Sequence, residues 1–102
     1  MFLRLVTVKV KPDKLQEIRA LDNSDEVDGV LKGLKGFRFR YLLESVDNPG
    51  EIISITGWDS KADGDAYEQS GTFNELKEKF SQWFTSTPEL KSYAVNSYLV
   101  HK

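Results

Sequence analysis

The chain has 102 residues, 39% hydrophobic and 29% charged, enough apolar content for one buried core and too little length for a second. A net charge of −2 and a pI of about 5.4 give no field that would gather nucleic acid or anionic lipid. The lack of cysteine excludes disulfides, thiolate nucleophiles and thiolate metal sites, and fits a reducing, cytoplasmic setting. Met1 to Val10 is broken by Arg4 and Lys9 and lacks the layout of a signal peptide, and no run approaches a membrane span. A single domain over residues 1–102 is expected.

Phe2 to Val10 reads as a first strand. Phe2, Val6, Val8 and Val10 fall on one face, and Leu3 and Leu5 on the other, so both faces need cover. Pro12 and Asp13 suit a helix start, and Leu15, Ile18 and Leu21 form the core-facing stripe that follows. Ser24 is placed to cap a second helical piece carrying Val27, Val30, Leu31 and Leu34, with Gly36 as its stop. Phe37 to Val46 is the second strand. Its Phe37, Phe39, Tyr41 and Leu43 are expected to face the helices, with Arg38 and Arg40 turned away.

Asp47-Asn48-Pro49-Gly50 is a turn, and Glu51 to Trp58 returns as a third strand to make an antiparallel hairpin. Ser60 caps the next helix, with Asp63 in a capping-box position. Gly71 breaks it, and Thr72 with Glu75 predicts a new cap, followed by Phe73, Leu76, Phe80 and Trp83 or Phe84 along the apolar side. The last strand spans about Leu90 to Val100. Two crossovers around a hairpin predict an α+β, ferredoxin-like βαββαβ fold, a four-stranded antiparallel sheet with its helices on one face. The other face is left bare and apolar, and stacking against a second copy is the simplest way to cover it.

Few residues offer chemistry. The only histidine, His101, sits at the chain end, so with no cysteine a metal site is not expected. Asp59, Asp63, Asp65 and Glu68 read as acidic residues favoured near a helix N-terminus, and Asp22, Asp25, Glu26 and Asp28 as a solvated face. Aromatics and arginines alternate through Phe37-Arg38-Phe39-Arg40-Tyr41 in the manner of an RNA-binding strand. They lie on the second strand, where that motif needs the third, and the acidic pI argues against RNA. Trp58 and Tyr67 are placed near a space between sheet and helices, although aromatics there more often serve simply as core.

The pattern Trp58-x-Ser60, Ala66-Tyr67-Glu68-x-Ser70 and Phe73-x-x-Leu76, after a strand of the Phe2–Val10 type, resembles the antibiotic-biosynthesis-monooxygenase domain of the dimeric α/β-barrel superfamily. The resemblance implies a homodimer built by stacking sheets, and oxidation of small aromatic or quinone-type molecules by oxygen without metal or organic cofactor. It implies Trp58 and Tyr67 as catalytic positions that shape the pocket, and Ser54 near the place of an asparagine that quinone-forming members use. Thr7, Arg40 and Ser54 are the expected sources of hydrogen bonds to substrate. The haem-degrading branch needs a histidine near Lys77 and an asparagine near Thr7, so haem degradation is disfavoured. The alternative is a non-catalytic dimer of the same fold, binding a small molecule or serving in stress. The expected partners are a second copy and a small-molecule ligand, with no nucleic acid and no membrane.

Overall fold

A computed structural model describes residues 1–101; Lys102, the end of the span read as one domain, lies outside them. Strands β1 (Phe2–Lys9), β2 (Phe37–Glu44), β3 (Glu51–Trp58) and β4 (Glu89–Ala94) form one sheet in the order β2-β3-β1-β4, every neighbouring pair antiparallel. Between β1 and β2 come a 3-10 turn (Pro12–Lys14) and helices α1 (Leu15–Asp22) and α2 (Asp25–Lys32). Helices α3 (Lys61–Glu68) and α4 (Gly71–Ser81) link β3 to β4. This is the α+β, ferredoxin-like arrangement that the order of elements requires.

The helices cover one face of the sheet, and two apolar clusters hold them there. One joins Val8, Val10 and Ile52 of the sheet side to Ile18 of α1. The other joins Val27 and Leu31 of α2 to Leu76 of α4, with Phe37 and Tyr67 against it. Phe80 packs on both. Among the described residues no helix is long and apolar enough to cross a membrane.

Four local expectations need correction. Ser70, not Thr72, caps α4: its Oγ accepts from the Phe73 backbone N–H at 3.3 Å, so the helix begins a residue before the apparent capping box. Ser24 occupies the cap position of α2, but its hydroxyl donates to the Leu21 carbonyl at 2.6 Å instead. The last strand stops at Ala94, because β1, its only sheet neighbour, runs out at Phe2, which pairs with Ala94. Tyr98, Leu99 and Val100, which the sequence placed in that strand, are exposed.

The fourth correction matters most for function. Phe37 pairs with Trp58 but Phe39 already pairs with Gly57, so a bulge at Arg38 resets the alternation of β2. After it, Arg40 and Leu42 face the helices, while Phe39, Tyr41 and Leu43 lie on the outer face. Strict alternation from Phe37 would have put Phe37, Phe39, Tyr41 and Leu43 all inside.

Gly36 joins α2 to β2 with φ +78°, and a Cβ there would lie 2.1 Å from Asp63 Oδ2. Gly36→Ala should therefore lower unfolding free energy by about 1–2 kcal/mol or more from backbone strain. Gly29→Ala, in α2 with nothing nearer than 3.9 Å, should raise it by up to about 1 kcal/mol through helix propensity. Urea unfolding of the two variants beside the parent chain checks both signs.

Candidate ligand-binding cavity

Strand register arranges the helix-facing side of the sheet in cross-strand rows. The first row is aromatic: Phe37, Trp58 and Phe2. Trp58 is fully buried, stacks on Tyr67 of α3 with ring centroids 5.1 Å apart, and meets Phe37 edge-on at 5.6 Å. Gly64, three residues before Tyr67 and so on the same helix face, lies against Phe2 and Trp58. A Cβ at Gly64 would come within 2.7 Å of the Phe2 ring, so glycine is what lets α3 approach this closely.

The second row is polar: Arg40, Thr56 and Arg4. Arg4 is buried, with its guanidinium paired to Asp65 at 2.8 Å and to Glu68, both from α3. Its Nε has no hydrogen-bond partner among the described residues. Arg40 is held by α1 and α2 on the same face. Its Nε donates to Asp28 Oδ1 at 2.8 Å, its Nη1 to Asp22 Oδ2, and its Nη2 to the Asp22 backbone carbonyl at 2.7 Å. Between the arginines, Thr56 Oγ1 accepts from Trp58 Nε1 at 2.9 Å. The third row, Leu42, Ser54 and Val6, places a small hydroxyl between two aliphatic side chains.

Above these rows is a cavity of about 110 Å³. Its floor is Val6, Val8, Ile52, Ser54 and Thr56, and its roof Ile18, Val27, Leu31 and Leu76, so it lies between the two apolar clusters. Asp22 and Arg40 form one polar part of the wall, and Tyr67, Phe73 and Lys77 also line it. Asp22, Leu31, Arg40 and Leu42 line an open groove outside as well, so they partition the cavity from solvent. An apolar chamber with a few convergent polar groups is the usual form of a small-molecule site.

Burial pushes the Asp22 carboxyl above its ordinary range; the Arg40 charge and hydrogen bond oppose this, and neighbouring Asp28 adds to it. Burial also pushes the Tyr67 phenol up to about 12, so at neutral pH it is a hydrogen-bond donor. Among the described residues no three His, Asp or Glu side chains converge as a metal-binding group.

Of the residues singled out from sequence, Arg40, Ser54 and Tyr67 meet at this cavity. Trp58 does not reach it; it stands behind Tyr67 and Thr56 and fixes both. Thr7 is on the opposite face of the sheet, between Ile53 and Glu89, because β1 turns Val6 and Val8 inward. Asp22, read as part of a solvated face, is 8% exposed and in the cavity wall. A signal existed: Asp22 follows Ile18 by four residues and Leu15 by seven, and so continues the buried stripe of α1. Thr56 was missed too, though it shares a strand face with Ser54 and Trp58. Asp65 and Glu68, read as ordinary acidic helix residues, are the partners of Arg4.

The raised Asp22 pKa fixes the sign of a pH effect. The folded chain holds this proton more tightly than the unfolded one, so stability falls as pH rises from the ordinary 3.8 through the raised value. Asp22→Asn should gain stability relative to the parent across that window and keep a constant difference above it. Paired urea titrations from below pH 3.8 to neutrality check this, and a difference independent of pH would contradict it.

A family model described as antibiotic biosynthesis monooxygenase matches residues 1–79. No curated protein sequence matches the chain. Among solved structures, a monooxygenase from the gene ActVA-Orf6 of Streptomyces coelicolor, in complex with the ligand nanaomycin D, is similar with a TM-score of 0.83 at 17% identity, over 99% of this chain and 92% of that one. A conserved protein from Methanosarcina mazei Go1 gives 0.74 at 22% identity, over 91% of each chain. Rv0793 from Mycobacterium tuberculosis gives 0.75 at 19% identity, over 97% and 98%. These structures establish the shared fold, and the family model covers most of the sequence: the chain belongs to the antibiotic biosynthesis monooxygenase family.

Proposed function

We propose that the protein is a monooxygenase that uses no cofactor and acts on a small aromatic molecule of hydroquinone or quinone type. The observation that carries this is the apolar cavity between sheet and helices with Tyr67, Ser54, Thr56 and Arg40 on its wall. A family relative bound to nanaomycin D supports the class of ligand. In such a reaction the substrate is itself the reductant: a hydroquinone and molecular oxygen give a hydroxyquinone and water. The protein's part is to exclude water and to stabilise charge developing on a substrate oxygen, which the Tyr67 phenol and the Arg40 guanidinium are suited to do. Trp58 positions Tyr67 by stacking and Thr56 by its indole N–H. An engineered apolar cavity of about 150 Å³ is known to take up benzene, so a chamber of this size suits one ring, and a fused-ring substrate would require α4 to move.

The second reading is a binding module without turnover. It is favoured by one feature: the only carboxylate in the cavity wall is already tied to Arg40, and no histidine is there to act as base. Oxygen uptake with a panel of hydroquinones and anthrones, graded by size, separates the two. The enzyme reading expects turnover that falls about 10²-fold in Tyr67→Phe through loss of a donor. It expects a smaller fall in Trp58→Phe, with single-ring substrates preferred. Saturable binding without oxygen uptake would leave only the module.

We also propose that the working unit is a homodimer that stacks the outer sheet faces. Leu3, Leu5, Ile53, Ile55 and Phe39 are half-buried there, and Tyr41, Leu43 and Tyr93 are 58%, 44% and 48% exposed. So broad an apolar face favours burial against a copy of itself. Sedimentation at micromolar concentration should give a dimer, and Ile55→Glu should give a folded monomer. A parent chain that sediments as a monomer would remove this assignment.

A further inference from the structure

A lysine stands on the cavity wall where the pattern of α4 calls for an apolar residue. Lys77 follows Phe73 by four residues and precedes Phe80 by three, so the three share a helix face, and all of them line the cavity. Among the described residues that do so, Lys77 is the one exposed to solvent; toward the outer groove the wall is closed by Asp22, Leu31, Arg40 and Leu42, none of them exposed. Its Nζ lies 5.8 Å from the centre of the Phe73 ring, and Phe73 meets Tyr67 edge-on at 5.3 Å. An ammonium, a ring and a phenol thus follow one another along the wall. The other cation there, Arg40, is committed to Asp22 and Asp28. Lys61, Lys79 and Lys91 are ion-paired as well, but Lys77 meets no carboxylate among the described residues. A lysine at the margin of an apolar face often does no more than lay its stem over the core. Lys77 differs in holding an unpaired charge beside an apolar chamber.

We propose that Lys77 marks the mouth of the cavity and selects ligands that carry a carboxylate beside the ring, so that the molecule taken up is an aromatic acid. The inference rests on the reading that this cavity holds an aromatic molecule, and it narrows that reading. A carboxylate carried into the chamber would lose its water without meeting a free partner, since Arg40 is already satisfied. Left at the mouth, it keeps part of its hydration and gains a hydrogen bond from the ammonium, while the ring fills the apolar space. A chamber of about 110 Å³ suits one ring, which leaves a charged substituent outside it. The chain carries a net charge of −2, so its overall field works against an anion, and a preference for one must come from a local cation. Capture by one end also orients the ring: the edge remote from the carboxylate enters first, past Phe73 and Tyr67.

The test compares phenylacetate with phenylacetamide, which share a ring and a shape and differ in charge at neutral pH. NMR titration of the whole chain at about 10 mM ionic strength should show phenylacetate bound about 3- to 10-fold more tightly, between the effect of an exposed ion pair and that of a hydrogen bond to a charged group. The preference should shrink toward unity in about 1 M salt. Lys77→Gln should remove it and Lys77→Glu reverse it. Lys35→Gln, at an exposed lysine away from the cavity, should leave it intact. Equal binding of the two probes by the parent chain overturns the proposal without any variant, while the aromatic reading of the cavity stands. It is equally overturned if the preference persists in Lys77→Gln, or if Lys35→Gln removes it to the same extent, which would assign it to the general field of the protein. If neither probe binds, the cavity is no aromatic site, and the reading beneath the proposal falls with it.

Discussion

Two arginines turned toward the helices, Arg4 buried and Arg40 partly buried, set the geometry of this protein. Arg4 and Arg40 flank Thr56 in one row across the sheet, both turned toward the helices, where an unpaired charge would cost several kcal/mol. Each is met by two carboxylates. Asp65 and Glu68 descend from α3 onto Arg4, and Asp22 and Asp28 come from α1 and α2 onto Arg40. Three of the four helices are thereby tied to defined positions over the sheet. Apolar packing alone specifies such positions less sharply, because it has no direction.

The cavity follows from that row. Where β3 carries Ile52 the sheet fills its share of the core, but at Ser54 and Thr56 the side chains are short and polar, and the helices are held above them by their ion pairs. The two apolar clusters close on either side without meeting, except through Phe80. Stability and the cavity thus come from one arrangement. The Trp58–Tyr67 stack and the close approach of Gly64 finish it by fixing the phenol at the wall.

The outer face is governed by the bulge at Arg38. By resetting the alternation of β2 it moves Phe39, Tyr41 and Leu43 out of the core and brings Arg40 in. Phe39 then lies across Gly57, whose missing side chain leaves room for its ring. The two arginines of the Phe37–Tyr41 stretch are both neutralised, Arg38 by Asp59 at 2.8 Å and Arg40 within the core. Their alternation with aromatics therefore presents no row of free positive charge.

The sequence by itself determined the order of strands and helices, the hairpin at Asp47–Gly50 and the helix start at Ser60, because turn residues, caps and periodicity act over a few neighbouring residues. From these, chain connectivity left one economical sheet order. It also pointed to Arg40, Ser54 and Tyr67. Only the tertiary structure decided which way β2 faces, since one bulge inverts every later side chain and nothing in the pattern Phe-Arg-Phe-Arg-Tyr marks it. The same applies to Asp22, Asp65 and Glu68: a carboxylate near a helix end is solvated or buried according to whether an arginine distant in sequence arrives beside it. Pairing of charges across the fold is a property of three-dimensional distance, and the linear pattern of acids and bases does not contain it.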